Sequence, residues 1–243
     1  MADRVRWIWI PRWNLPAGQR DRQEVLPFPA CNLVVEPDGI ALYGPTTSIS
    51  YRELEGRGWA VGALLRPAGA GALCSPSLIR NSHRPLEDSD LKVAVASAMA
   101  DTNTTTGGQR AASALAAWVA QHTGLPQAMA LTANRMEDVV TSDRSILRVD
   151  QLARRLDLSI RSLQRLSERY IGLPPLAVIR RYRLQEAAQR LREDPSVTVA
   201  QMAAELDYAD HAHLTADFRR VLGLSPSRYR QQTISDRQAL SDR

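Results

Sequence analysis

Several residue types and patterns are scarce in this sequence, and each scarcity removes a class of explanation. Cysteine occurs twice, at Cys31 and Cys74, in no CxxC pair. A disulfide framework and a cysteine zinc site are therefore excluded as organising principles. Histidine occurs four times. His83 and His122 fall outside the strand-like segments described below, so a metal-bearing β-barrel lacks its clustered ligands. His211 and His213 diverge by about 200° around a helix, which is poor geometry for joint ligation. No apolar run reaches the ~20 residues that cross a bilayer. The first residues also lack the basic, apolar, small-residue order of an export signal. The expectation is a cytoplasmic protein with no membrane partner. GxSxG, HExxH and GxxxxGK[ST] are all missing, and PAGAGAL (Pro67–Leu73) lacks the lysine of a phosphate loop. The sequence reads as a non-enzyme with no metal and no cofactor.

Lysine is the scarcest charge, with Lys92 the one example among 31 basic side chains. A preference for arginine can follow genome base composition, so its amount identifies no partner, whereas its location is informative. Residues 1–147 hold 14 basic and 14 acidic side chains, whereas residues 148–243 hold 17 arginines and 12 acids. The whole net charge of +5 sits in the second part, which points to an anionic partner there.

The 243 residues suffice for two small domains. The first third reads as short strands bounded by Pro, Gly or Asp: Arg4–Ile10, Cys31–Glu36, Gly39–Gly44 and Trp59–Arg66. Helical spacing follows at Leu86–Ala100 and Gln109–His122, with Asp101–Gly108 between them as an exposed loop. Trp7 and Trp9, at strand alternation, are expected to fill a barrel or cover one of its edges. Lining an apolar effector pocket is their second reading. Residues 124–144 mix Pro, Thr, Ser, Asn and charge, with weak helical spacing around Met129–Val140, and read as a connector. Beyond Ile146 all periods are helical. The elements expected are Val149–Leu156, Ser159–Ile171, Pro175–Glu193 closed by Pro195, Val197–Leu206, Asp210–Leu222 and a last helix from Pro226 to Gln232.

The helical part is a duplication. At an offset of 50, Gln151 meets Gln201, Ala153 meets Ala203, Leu156 meets Leu206 and Asp157 meets Asp207. Beyond the turn the offset becomes 51, pairing Leu163 with Leu214, Arg169 with Arg220, Gly172 with Gly223 and Pro175 with Pro226. Each copy reads helix, tight turn, helix, the arrangement whose second helix can enter a DNA major groove. A bundle duplicated for packing alone is the bland alternative, and Leu152, Leu156, Leu163, Leu166, Leu206, Leu214 and Phe218 are core in either case. The outer face of the first copy decides for DNA. Arg161, Gln164, Arg165 and Arg169 fall at i, i+3, i+4 and i+8, one stripe able to bond base edges and phosphates. The 19 residues of Pro175–Glu193 span about 28 Å as a helix. That length suits two reading helices set near the ~34 Å separation of successive major grooves.

On these residues the chain resembles the AraC/XylS family of transcription regulators from Ile146 to about Gln232. The spacing of both motifs, the linking helix Arg180–Glu193 and the closing GLSPSRYR (Gly223–Arg230) carry the likeness. The resemblance implies base reading by Arg161, Gln164 and Arg165. It departs from the family at both turns, where Asp157 and Asp207 stand for the usual glycine; Asp tolerates a left-handed backbone at modest cost. In the second copy Ala212 and Ala216 stand where polar and arginine residues are usual, leaving His211, His213 and Thr215 for contacts. Of these, His211 and Thr215 are the candidates for base contact. Arg154, Ser159, Arg169, Arg219 and Arg220 are candidates for phosphate contact.

A looser resemblance links the N-terminal part to the small β-rich sensor domains attached to some such regulators. It rests on Cys31, Asn32-Leu33-Val34, Gly44-Pro45 and Arg66-Pro67, and implies that residues up to about 122 bind an effector or a partner subunit. Cys31 and Cys74 read as small buried hydrophobes, with pairing on oxidation as the alternative. The fold expected is α+β in two domains. A β-barrel or sandwich-like sensor domain (1–122) and a connector (123–146) precede an all-α domain with two helix-turn-helix motifs joined by a long helix (147–233) and a polar tail (234–243). The function expected is a sequence-specific, double-stranded-DNA-binding transcription regulator, by family habit an activator. RNA polymerase, a small-molecule effector and a second copy are its further partners. Two other classes stay open: an effector-independent interaction protein at promoters, and a small-molecule-binding protein with only non-specific DNA affinity.

Overall fold

In the N-terminal half, apolar runs and polar ribbons form strands β1 (Val5–Trp9), β2 (Arg12–Asn14), β3 (Arg20–Val25), β4 (Asn32–Val35), β5 (Ile40–Tyr43), β6 (Ser50–Glu55), β7 (Arg57–Trp59), β8 (Val61–Leu65) and β9 (His83–Leu86). The computed structural model describes residues 1–194 and 196–231. Five strands make an antiparallel sheet in the order β1-β8-β4-β5-β9. Its interior strand β8, between β1 and β4, is buried at every position, which explains why VGALL shows no polar alternation. The β1–β8 pairing continues outward as two ribbons, β2 with β7 and β3 with β6. The single strand expected at Trp59–Arg66 is therefore two, β7 and β8, parted at Ala60.

Tryptophans brace this arm against glycines. Trp9 pairs with Gly62 and Trp13 with Gly58. A Cβ on either glycine would lie 2.1–2.2 Å from the indole, so the ring covers the backbone that the glycine leaves bare. Trp7 lies elsewhere, 44% exposed, its ring edge-on to Phe28.

Helices α1 (Pro67–Leu73), α2 (Ser89–Met99) and α3 (Thr104–Thr123) pack on the strands. PAGAGAL is a helix, with Pro67 in its first turn, where a missing N–H costs nothing. Of the loop expected at 101–108, the last five residues belong to α3. Asn103 caps that helix by accepting from the Thr106 N–H. Gly107 lets α3 cross α2 closely, because a Cβ there would stand 2.5 Å from the Ala98 carbonyl oxygen. Likewise, α2 starts at Ser89, with Asp88 as its cap, because Leu86 belongs to β9.

The segment expected as a connector forms α4 (Ala128–Ser142). Its Ala130, Ala133, Met136 and Val140 face one way and join the core of the first helix-turn-helix motif. That motif is α5 (Val149–Arg155) with α6 (Ile160–Tyr170), and the second is α8 (Val199–Glu205) with α9 (His211–Leu222). Helix α7 (Pro175–Glu193) serves both. Its Val178, Ile179 and Tyr182 sit in the first core, whereas Leu184, Ala187, Ala188 and Leu191 sit in the second. Residues 226–231 are again helical. Pro195, Gln232 and the expected tail lie outside the described residues.

Candidate nucleic-acid interface

Each motif turns through an aspartate in the left-handed region, at φ 56° for Asp157 and φ 59° for Asp207. Backbone bonds enforce the turn. The Leu158 N–H donates to the Ala153 carbonyl at 2.9 Å, and the Tyr208 N–H to the Ala203 carbonyl at 2.8 Å. Asp meets the demand that the sequence implied, at a local cost of about 1–2 kcal/mol relative to glycine.

Helix α6 begins at Ser159, whose hydroxyl accepts from the Ser162 N–H at 3.1 Å. Leu163, Leu166 and Tyr170 turn into the core, which drives Arg161, Gln164, Arg165 and Arg169 outward, all exposed. Arg161, Gln164 and Arg165 make no hydrogen bond or ion pair among the described residues, so their donors are free to meet a partner. The Arg169 guanidinium lies 5.4 Å from the Tyr170 ring. On α5, Arg154 is exposed and bonded to Asp150 at 2.8 Å.

The second reading helix differs. Its cap is Asp210, whose carboxylate accepts from the His213 N–H at 2.7 Å. His211 is exposed and Thr215 half-buried, and the His213 ring meets the edge of Tyr208. Arg219 and Arg220 are exposed, but Arg220 is held by the buried carboxylate of Asp217. Burial, together with that carboxylate, pushes the Tyr208 hydroxyl up to about 12.

A joint between the two halves was not legible in the sequence. Glu137 of α4, 1% exposed, is ion-paired with Arg6 of β1 at 3.0 Å and Arg66 at 3.2 Å, and accepts from the Tyr182 hydroxyl at 2.6 Å. Burial first, then the Glu137 carboxylate, push that hydroxyl well above its usual range, so it stays protonated and donates. Asn134 accepts from the Ala68 N–H and donates to the Asp3 carbonyl. Arg80 donates to the Gly172 carbonyl and to Glu168, each at 2.7 Å, fastening the end of α6 to the N-terminal half. Gln185 and Arg181 of α7 donate to the carbonyls of Pro27 and Thr47. The residues of this joint lie far apart in the chain and share no motif spacing, so no local pattern marks them.

The cysteines are free thiols, Cys31 buried and Cys74 partly so. They lie side by side: their mutual hydrogen bond, aided by burial, pushes Cys31 up, and the same bond pulls Cys74 down. Among the described residues no group of three or more His, Cys, Asp or Glu could hold a metal, and no helix is long and apolar enough to cross a membrane.

Two left-handed turns, two helical cores and one shared linking helix define a double helix-turn-helix domain carried by a β-rich half. A helix-turn-helix domain family matches residues 152–232, and a domain family of unknown function matches residues 1–83. The HTH-type transcriptional activator RhaS of Escherichia fergusonii is 39% identical over 83 residues, 34% of this chain and 29% of that protein. A putative AraC-like transcription regulator of Streptomyces lividans is 38% identical over 61 residues, 25% of this chain and 20% of that protein. These alignments span less than a third of the relatives' own length. ToxT from Vibrio cholerae shares the fold of both halves, with a TM-score of 0.51 at 11% identity over 92% of this chain and 97% of that one. Over its double helix-turn-helix domain the chain is similar to AraC-type transcription regulators.

Proposed function

We propose that the protein is a sequence-specific DNA-binding regulator of transcription. The observation that carries this reading is the outward stripe of Arg161, Gln164 and Arg165 on α6, unengaged among the described residues. Arginine offers a bidentate donor pair to guanine, and glutamine to adenine. Arg154, Ser159, Arg169, Arg219 and Arg220 contact phosphates and set register. Helix α9, with His211 and Thr215, reads its half-site more loosely. The relatives named as activators support activation, through contact with RNA polymerase in the cytoplasm. Residues 1–122 are the sensing part, 147–233 the DNA-reading part, and 123–146, which contains α4, couples them. An effector or a second copy acts through that coupling.

Selection of bound sequences from a random DNA pool, with the full chain at physiological salt, tests this reading. Two sequence blocks about one helical turn apart, the one under α6 stricter, are the expected result. Folded protein that recovers no motif, and binds all DNA alike, would overturn it.

A further inference from the structure

The two cysteines are distant in the chain and adjacent in space. Cys31 leads into β4, where its carbonyl accepts from the Leu65 N–H of β8 at 2.9 Å, and it is 1% exposed. Cys74 ends α1, half-buried, with its thiol 3.5 Å from the Ala70 carbonyl oxygen. Both pack on the core of the β-rich half, with their sulfur atoms in hydrogen-bond contact. Their surroundings make them unequal. Cys31 is sealed, and the shared hydrogen bond together with burial keeps its proton in place. Cys74 is reachable from solvent; that bond, helped by the charge of Arg84, draws its thiol below the usual range against the opposing effect of burial. Arg84 is held there by donating to the Leu73 carbonyl at 2.9 Å. An accessible, acidified thiol beside a protonated one is the arrangement of an attacking and a resolving cysteine.

The pair sits where the β-rich half bears on the first reading helix. Cys31 and Ala70 share a crevice, too narrow for water, with Tyr170 and Ile171 at the end of α6. On one side of Cys74 in the chain, Gly71 lies beneath the Tyr170 ring; on the other, the Pro76 backbone abuts Gly172. Strand β4 is fixed by a neighbour on each edge, β8 and β5, whereas Cys74 stands where α1 stops. A covalent bond draws two sulfurs inside contact distance. The end of α1 is therefore the side that moves, and it carries Gly71 and Pro76 with it.

We propose that Cys31 and Cys74 are a site of reversible oxidation by a hydroperoxide, and that the disulfide they form shifts the seat of α6. The Cys74 thiolate attacks a peroxide oxygen and the O–O bond breaks. The departing hydroxide takes up the proton that Cys74 had released and leaves as water, and Cys74 becomes a sulfenic acid. The Cys31 sulfur then attacks the Cys74 sulfur and the S–O bond breaks. The expelled hydroxide leaves as water with the Cys31 proton. The two thiols lose two electrons together, and hydrogen peroxide is reduced to two waters. In a compartment that keeps thiols reduced, such a disulfide is transient and reports on oxidant. On the regulator reading above, the two states differ in DNA affinity; the oxidation itself does not depend on that reading.

The test follows the reduced full chain, without DNA, after addition of hydrogen peroxide. The intact mass should fall by two hydrogens, peptide mapping should place one Cys31–Cys74 bond within each chain, and dithiothreitol should reverse it. Cys31→Ser should stop at a Cys74 sulfenic acid, captured by dimedone. Cys74→Ser should slow oxidation of Cys31 by about tenfold or more. Matching thermal unfolding of the reduced variants certifies their folding, and Cys74→Ser, at the less buried position, carries the test if Cys31→Ser does not fold. Hydrogen exchange of residues 166–172 should shift when the parent chain is oxidised, and stay unchanged when Cys74→Ser receives the same peroxide. Separate oxygen additions on the two cysteines, a bond between two chains, or oxidation of Cys31 as fast without Cys74 would overturn the site. A Cys31–Cys74 bond with exchange at 166–172 unaltered would overturn its link to α6. Failure of the DNA selection would leave these readouts untouched, so the two readings fall separately.

Discussion

The two helix-turn-helix motifs are copies that have come to live in different surroundings. Gly172 and Gly223 are equivalent, each ending its reading helix in the left-handed region at φ 80° and φ 69°. A Cβ on Gly172 would stand 2.6 Å from the Pro76 backbone of the N-terminal half, whereas a Cβ on Gly223 would meet nothing within 4 Å. The first motif is wedged against the β-rich half: Tyr170 packs so closely on Gly71 that a Cβ there would lie 2.3 Å from its ring, and Arg80 ties down Glu168. The second motif meets that half mainly through Leu26 and Ile49, partly buried against its core. The reading faces differ in the same sense. At an offset of 51, Arg161, Gln164 and Arg165 become Ala212, Thr215 and Ala216, and the neutral Ser159 cap becomes Asp210. The copy held against the β-rich half is also the copy that carries the proposed base-reading stripe. A duplicated fold can thus divide its labour, one unit carrying information and the other carrying geometry.

The sharpest way to break this contrast is at the paired glycines. Gly172→Ala adds left-handed strain of about 1–2 kcal/mol to a backbone clash of about 1–3 kcal/mol, and should lower the thermal midpoint markedly. Gly223→Ala should cost the strain alone, about 1–2 kcal/mol. Equal shifts of the two melting curves would mean that the first motif is not wedged in solution.

Base reading comes next in size. Arg165→Ala should lose about 1–3 kcal/mol of DNA affinity and relax one base pair, as read by binding to a single-substitution operator series. The reverse change in the other copy, Ala216→Arg, should create a base preference in the looser half-site. An operator profile unchanged by both would refute the division of labour.

Smaller effects separate the fastenings from the phosphate contacts. Arg80→Ala removes a part-exposed pair, worth about 0–1 kcal/mol, and a hydrogen bond to the Gly172 carbonyl, so stability should fall by about 1 kcal/mol. Arg169→Ala and Arg219→Ala should weaken binding to every sequence alike and flatten the salt dependence by about one unit each. Salt titrations of a specific and a random duplex would check this.

The C-terminal half was readable because its periods are local. An offset of 50 residues repeats the apolar spacing, and the left-handed turns at Asp157 and Asp207 were deducible from a missing glycine and a residue that can stand in for it. The bounds of α7 match the spacing from Pro175 to Glu193. Strands β4, β5 and β8 announced themselves as short apolar runs, but β3 and β6 did not, because RDRQEV and SYRELE are polar ribbons held by pairing with each other. Helix α1 was hidden by its glycines, which are poor helix formers. Both are required by neighbours, Gly69 beneath the Arg4 carbonyl and Gly71 beneath Tyr170. Of the candidate interface, the stripe on α6 followed from periodicity, whereas the burial of Asp217, from which it holds Arg220 one turn on, came from tertiary packing. Glu137, Arg6 and Tyr182 meet across 45 to 176 residues of chain, a separation at which no sequence spacing carries information.

That same separation sets an order of assembly. A nascent chain is made from its N-terminus, and domains commonly fold as they emerge. Strand β1 is synthesised well before α7, and the Arg6 side chain meets Tyr182 only after the ribosome has added 176 more residues. The β-rich half can pair its strands, yet Glu137 waits for α7 before its third partner arrives, and the aromatic row of Trp7 and Phe28 stays open until Tyr182 closes it. The joint thus closes only once α7 has been made, later than the strands of the β-rich half. A newly made molecule therefore acquires the link between its two halves late, so defects in that link should arise in chains whose β-rich half is already sound.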